Sequence, residues 1–211
     1  AMTSSLVGSE MCIRDRSYNR NLLVLVLIIG SFCTVLNGTL LATALPSIMR
    51  SFHISTATAE WLSTAFLLVN GVMIPISAWL INRFGSRKMY LSAMSVFFIG
   101  TVIAAIAPNF GTLLAGRIIQ GLGVGVTMPL LQTIMLSIFP ANKRGAAMGT
   151  VGIVIGLAPA IGPTLSGWIV DNLSWRYLFS IIAPIAGVVI ILAFFLSLIH
   201  ISEPTRLDVI S

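Results

Sequence analysis

Apolar residues run through this chain in six long stretches, near 22–45, 61–81, 89–107, 110–139, 146–170 and 177–197, separated by short polar breaks. A bilayer core of about 30 Å needs roughly 20 residues of helix, and the six stretches meet that length. Each is continuously apolar, without the alternation that marks a membrane β-barrel strand. Backbone in hydrocarbon must satisfy its own hydrogen bonds, so the pattern predicts six membrane-spanning helices over 20–196. The polar ends, 1–19 and 197–211, do not share it. Both resemble translated sequencing-adaptor read-through and are expected to stand outside the fold.

Composition agrees with a membrane protein: 57% of the 211 residues are hydrophobic and 9% are charged, against roughly 25% charged in a soluble domain. Arg14, Arg16 and Arg20 precede the first stretch like the basic region of a signal peptide. That stretch is longer than the roughly 7–15 apolar residues of such a peptide, so it is read as a retained helix. The net charge of +6 changes meaning once placed. Arg20, Arg83, Arg87, Lys88, Lys143 and Arg144 fall on one side of the expected bilayer, and Arg50 and Arg176 in the opposite loops. The positive-inside rule then puts the N-terminus in the cytoplasm of a multi-pass protein of the cell membrane. The basic balance is a topology signal, and no nucleic-acid partner is expected. Glu60 and Asp171 are the acids of the body, and both are expected in outer loops. Cys12 and Cys33 form neither a disulfide framework nor a metal spacing, and His53 and His200 are isolated. No cofactor, metal or enzymatic activity is expected, because no nucleophile–base pair or phosphate loop is present.

Within the six stretches one side chain is formally charged: Arg117, in Leu114-Ala115-Gly116-Arg117-Ile118-Ile119-Gln120-Gly121-Leu122-Gly123-Val124-Gly125. A cation at that depth costs on the order of 3 kcal/mol or more in hydrocarbon, so it should face a protein or water-filled interior. Gln120, three residues on, shares its helix face. Gly121 and Gly125 form a G-x-x-x-G pair that admits a close neighbouring helix. Two further patterns carry backbone chemistry. Asn82-Arg83-Phe84-Gly85-Ser86-Arg87-Lys88 is a short basic connection with a glycine for a tight turn. The fifth stretch holds Gly149, Gly152, Gly156, Pro159, Gly162, Pro163, Ser166 and Gly167, where each proline removes a donor and the glycines open a groove. Read without further context, the first pattern only sets topology, the glycines only pack helices, and Arg117 pairs with backbone carbonyls.

Together these patterns resemble the major facilitator superfamily, specifically its 14-helix drug:proton antiporter branch, over about residues 21–195. The basic connection resembles the loop between that family's second and third helices, with Asn82 where the family has aspartate and Ala78 at its leading glycine. The Arg117 segment resembles the fourth-helix motif, and Gly156, Pro159, Gly162, Pro163 and Gly167 lie in a stretch that resembles the antiporter motif, with Ala158 and Ser166 as substitutions. Leu36-Asn37-Gly38-Thr39 resembles the first-helix motif, with Asn37 in place of aspartate, and Trp175-Arg176-Tyr177-Leu178-Phe179 the sixth-helix entry. Arg176 is expected to pair with Asp171 or a lipid phosphate.

The resemblance implies an all-α membrane fold, the N-terminal six-helix half of a transporter, whose missing C-terminal half faces it across a substrate site. It implies efflux of lipophilic, in some cases cationic, small molecules in exchange for protons. Asn37, Thr39, Arg117 and Gln120 would line the cavity, with Phe66, Trp79 and Met128 as apolar walls. Arg117 would take part in coupling and would disfavour cationic cargo until a carboxylate neutralises it. No Asp, Glu or His lies inside the six stretches, so the titrating carboxylate is expected in the missing half. An uncoupled metabolite facilitator, supported by the neutral Asn37 and Asn82, stays open, as does an inactive or structural membrane fragment.

Overall fold

The computed structural model describes residues 20–198, with side chains over 22–195. The polar tails, with Cys12 and His200, lie outside the described residues apart from 197 and 198, which end the last helix. The described chain is helical: α1 (Arg20–Phe52), α2 (Thr56–Phe84), α3 (Ser86–Ala105), α4 (Phe110–Ile138), a single 3-10 turn (Ala141–Lys143), α5 (Arg144–Asn172) and α6 (Arg176–Leu198). All six helices are long and apolar enough to cross a membrane.

α1, α2, α5 and α6 outrun their apolar stretches at both ends. α1 continues through Pro46 to Phe52 instead of stopping at 45. Proline forfeits one donor, the amide that would bond the Ala42 carbonyl, and the helix continues past it; Arg50 Nε donates to the Pro46 carbonyl at 3.3 Å. Arg50 therefore lies in the last helical turn, where a cation suits the dipole, and not in a loop. The helix ends at His53, whose φ of 52° makes it the one non-glycine residue with positive φ among the described residues. Ser55 caps α2 by accepting from the Thr58 amide at 3.3 Å, and Asn109 caps α4 by accepting from the Thr112 amide at 2.8 Å. These caps begin α2 at Thr56, so Glu60 is helical; Asp171 likewise falls in the last turn of α5.

The basic connection is shorter than a loop. Asn82 and Arg83 finish α2, Arg87 and Lys88 open α3, and Gly85 alone joins them at φ 79° and ψ 151°. That region is essentially closed to residues with a Cβ. Gly85→Ala is expected to cost about 1–3 kcal/mol, read as a lower thermal midpoint of the detergent-solubilised chain.

Arg176 does not make the expected pair with Asp171. Its Nη2 donates to the Ala107 carbonyl at 3.1 Å and its guanidinium lies 4.6 Å from the Trp175 ring centroid, with no bond to Asp171. Trp175 is buried and meets the Phe52 ring at 5.5 Å. One end of the bundle is thus pinned where α1, the α3–α4 connection and α6 meet. Arg83, Arg87, Lys88, Lys143 and Arg144 stand at the other end.

α4 packs on α3 and α2, α1 packs on α5 and α6, and α3 packs on α6. Exchanging α1 with α4, α2 with α5 and α3 with α6 maps this pattern onto itself, so the bundle is two three-helix repeats running in opposite directions. Small residues make the closest approaches. A Cβ on Gly116 would meet the Ala104 nitrogen at 3.0 Å, and one on Gly123 the Ala93 carbonyl at 2.5 Å, both on α3. Gly121 and Gly125 face α2, at Phe66 and Asn70, as the G-x-x-x-G spacing predicts. α2 and α5 keep broad exposed apolar faces; Trp79, expected on a cavity wall, is 64% exposed on that outer side.

Candidate functional site

The side chain of Arg117 is 1% exposed, two turns into α4, and the polar groups around it come from three helices. Its Nη1 donates to Gln120 Oε1 at 2.9 Å. Asn37 of α1 donates from Nδ2 to the same oxygen at 3.2 Å. Gln120 in turn donates from Nε2 to Thr101 Oγ1 of α3 at 2.9 Å, and Thr101 donates to the Phe97 carbonyl at 2.8 Å. Phe66 of α2 lies under the guanidinium, with Cζ 4.1 Å from the ring centroid.

The direction of this relay follows from Arg117. A guanidinium only donates, so Gln120 must present its oxygen to it and its amide nitrogen to Thr101. Asn37 meets that same oxygen and must present its nitrogen. Asn37, Thr101 and Gln120 are all buried, so each missing bond would leave a desolvated polar group. The glycines bring the relay together: a Cβ on Gly100 would meet the Gln120 nitrogen at 2.7 Å and the Gly116 carbonyl at 2.8 Å.

A cavity of about 290 Å³ opens beside the network between α1, α2 and α4. Thr34 and Thr39 of α1, Ser63, Phe66 and Asn70 of α2, and Arg117 and Met128 of α4 border it. That volume is at the lower edge of small-ligand sites, and a mostly apolar wall with a few polar groups is their usual composition. The cavity and the relay share Arg117 and Phe66.

Arg117, Gln120 and Asn37 are therefore brought together. Thr39 borders the cavity but donates to the Leu36 carbonyl at 2.9 Å and takes no part in the relay. The proline–glycine segment of α5 touches the site from behind. Gly162 lies against the Thr39 side chain, where a Cβ would collide with Oγ1, and Ser166 donates to the Leu40 carbonyl at 2.7 Å. The buried Ala158 continues this face, whereas Gly149, Gly152, Gly156 and Gly167 meet nothing within 4 Å of a Cβ and Pro159 and Pro163 are exposed. Half of the segment packs α5 on α1, and the other half faces away from the bundle. Asn82, Arg83, Gly85, Arg87 and Lys88 stand at the far end of α2 and α3, apart from the site.

Sequence reasoning missed Thr101, Gly100, Ser63 and Asn70. Their signal was present as polar or small residues inside long apolar helices, but threonine, serine and glycine are common in membrane helices and no spacing singles these four out.

A family model described as Major Facilitator Superfamily matches residues 27–209. Among curated proteins, the chain is 52% identical over 200 residues to the uncharacterized MFS-type transporter YcnB of Bacillus subtilis, covering 94% of this chain and 42% of that protein. It is 41% identical to the lincomycin resistance protein LmrB of Bacillus subtilis, covering 90% of this chain and 40% of that protein. It is 35% identical to the multidrug export protein EmrB of Haemophilus influenzae, covering 82% of this chain and 34% of that protein. The chain thus spans about two fifths or less of the length of these relatives. Among solved structures, a D-xylose–proton symporter superposes with a TM-score of 0.68 at 20% identity, over 82% of this chain and 47% of that one. This likeness bears on the fold.

Proposed function

The chain belongs to the major facilitator superfamily of transporters, and on that footing we propose that it is the first six-helix half of an exporter of lipophilic small molecules. The second half would face α2 and α5, whose outer faces are apolar and uncovered, and the substrate would lie between the halves, open to either side in turn. The observation that carries the reading is the Arg117–Gln120–Asn37 relay beside the cavity between α1, α2 and α4. An ionisable residue inside a membrane bundle marks a substrate or ion pathway. The names of LmrB and EmrB support drugs as cargo.

Proton exchange needs a group that changes charge within the membrane. Asn37 does not titrate and an arginine stays protonated. The proton-carrying carboxylate is therefore assigned to the second half. The cations at the α2–α3 and α4–α5 connections support a cell-membrane protein with its N-terminus in the cytoplasm. Asn82, Arg83, Gly85, Arg87 and Lys88 would hold that face, and Gly162 with Ser166 would hold α5 against α1 at the cavity. The neutral Asn37 also favours a second reading, an uncoupled facilitator.

Cells lacking their own efflux pumps separate the two readings. With the complete polypeptide expressed, accumulation of a lipophilic dye is expected to fall, and an uncoupler is expected to restore it. Reduced accumulation that ignores the uncoupler supports the facilitator, and unchanged accumulation contradicts export.

A further inference from the structure

We infer that the cavity between α1, α2 and α4 takes an organic acid, a carboxylate on an apolar body, with Arg117 as its counter-ion. The inference rests on the transport reading above for its purpose, but its physical ground is the charge balance of the site.

Every bond that the relay makes ends on a neutral oxygen. Gln120 Oε1 accepts from both Arg117 Nη1 and Asn37 Nδ2, and the chain of donation ends on the Phe97 carbonyl. None of these acceptors carries negative charge, so the guanidinium is solvated but not neutralised. Arg117 Nε is buried and has no hydrogen-bond partner. Among the described residues the acids are Glu60, in the second turn of α2, and Asp171, in the last turn of α5. Both are exposed, and neither bonds Arg117. A buried cation without a countercharge is unfavourable, and a charged ligand of opposite sign lowers that cost on binding.

The cavity supplies the rest of the recognition. Arg117 stands on its wall with Ser63 and Asn70, which add a hydroxyl and an amide, and with Phe66, Leu67 and Met128, which give an apolar surface. A carboxylate set against a guanidinium, with a hydrophobic body along these walls, satisfies both parts. Among the described residues no acid stands near Arg117 to offset its repulsion of a cation. The ligand that this half alone favours is therefore acidic before it is neutral or cationic, in line with the expectation that Arg117 disfavours cations until a carboxylate neutralises it.

The test is binding to the full 211-residue chain in nanodiscs of phosphatidylcholine, titrated with 1-naphthoate and with its neutral isostere 1-naphthamide. Hydrogen bonds to a charged partner exceed neutral ones enough to predict that naphthoate binds about tenfold more tightly. Arg117→Gln is expected to erase that preference. Asn37→Asp, which keeps the guanidinium and the packing volume but supplies a resident carboxylate, is expected to erase it too, and this variant decides the matter if Arg117→Gln does not fold. Equal affinity for the two probes, no binding of either, or a preference that survives Asn37→Asp overturns the inference. Phosphatidylglycerol in the nanodisc is expected to leave naphthoate binding unchanged; competition by it would assign the site to a lipid headgroup and overturn the organic-acid ligand. Because no translocation is measured, a negative result here leaves export standing, and failed export leaves this result standing.

Discussion

Gly100→Val is expected to drive α3 away from α4 and to leave little folded protein. A Cβ at this position would lie 2.7 Å from the Gln120 nitrogen and 2.8 Å from the Gly116 carbonyl. Both are helix backbone and cannot rotate aside as a side chain would. Valine adds two further methyl groups to that collision. The expected cost is about 3 kcal/mol or more, at the upper end of overpacking. The effect should also reach the site, because Gln120 is the residue displaced. Heating the detergent-solubilised chain and following its monodisperse peak gives the readout. Gly71→Val is the control, since a Cβ there meets nothing within 4 Å. Equal midpoints for the two variants would contradict the close α3–α4 packing.

Gln120→Leu carries the second large effect. Leucine fills much of the same space but removes the acceptor shared by Arg117 and Asn37, and the donor to Thr101. A buried cation and a buried amide would each lose their bond, at a combined cost of about 3–5 kcal/mol. Gln120→Glu keeps an acceptor for both donors and adds a countercharge, so it should be markedly more stable than Gln120→Leu. The thermal midpoints of the two variants give the comparison. A Gln120→Leu protein as stable as the parent would mean that the relay contributes nothing to holding α1, α3 and α4 together.

The six helices were legible because continuous apolar length is a strong signal, and the family resemblance added the partner half. Their ends were less legible. Pro46 reads as a stop, yet α1 runs on to Phe52, because one forfeited donor leaves the rest of the helical ladder in place. The Arg117–Gln120 pair follows from a three-residue spacing on one helix. Asn37 joined it only through the first-helix resemblance, because a contact between α1 and α4 has no local signature. Thr101 escaped notice for the same reason, being one threonine among many polar residues in apolar helices. Trp79 lies on the uncovered face of α2, the face proposed to meet the second half, and not in the cavity between α1, α2 and α4; an aromatic residue in a spanning helix carries no signal that tells these positions apart.

The claim on which the account rests is that Arg117 is tolerated because water reaches the cavity on whose wall it lies. Thiol accessibility measures this directly. With Cys12 and Cys33 replaced by alanine, Met128→Cys on the cavity wall and Met94→Cys in the packed interior of α3 are compared in permeabilised membrane vesicles. A charged, membrane-impermeant methanethiosulfonate reagent should label Met128→Cys rapidly and leave Met94→Cys unmodified. Equal protection at both positions would mean that the cavity is dry, and the hydrated path proposed for transport would be contradicted.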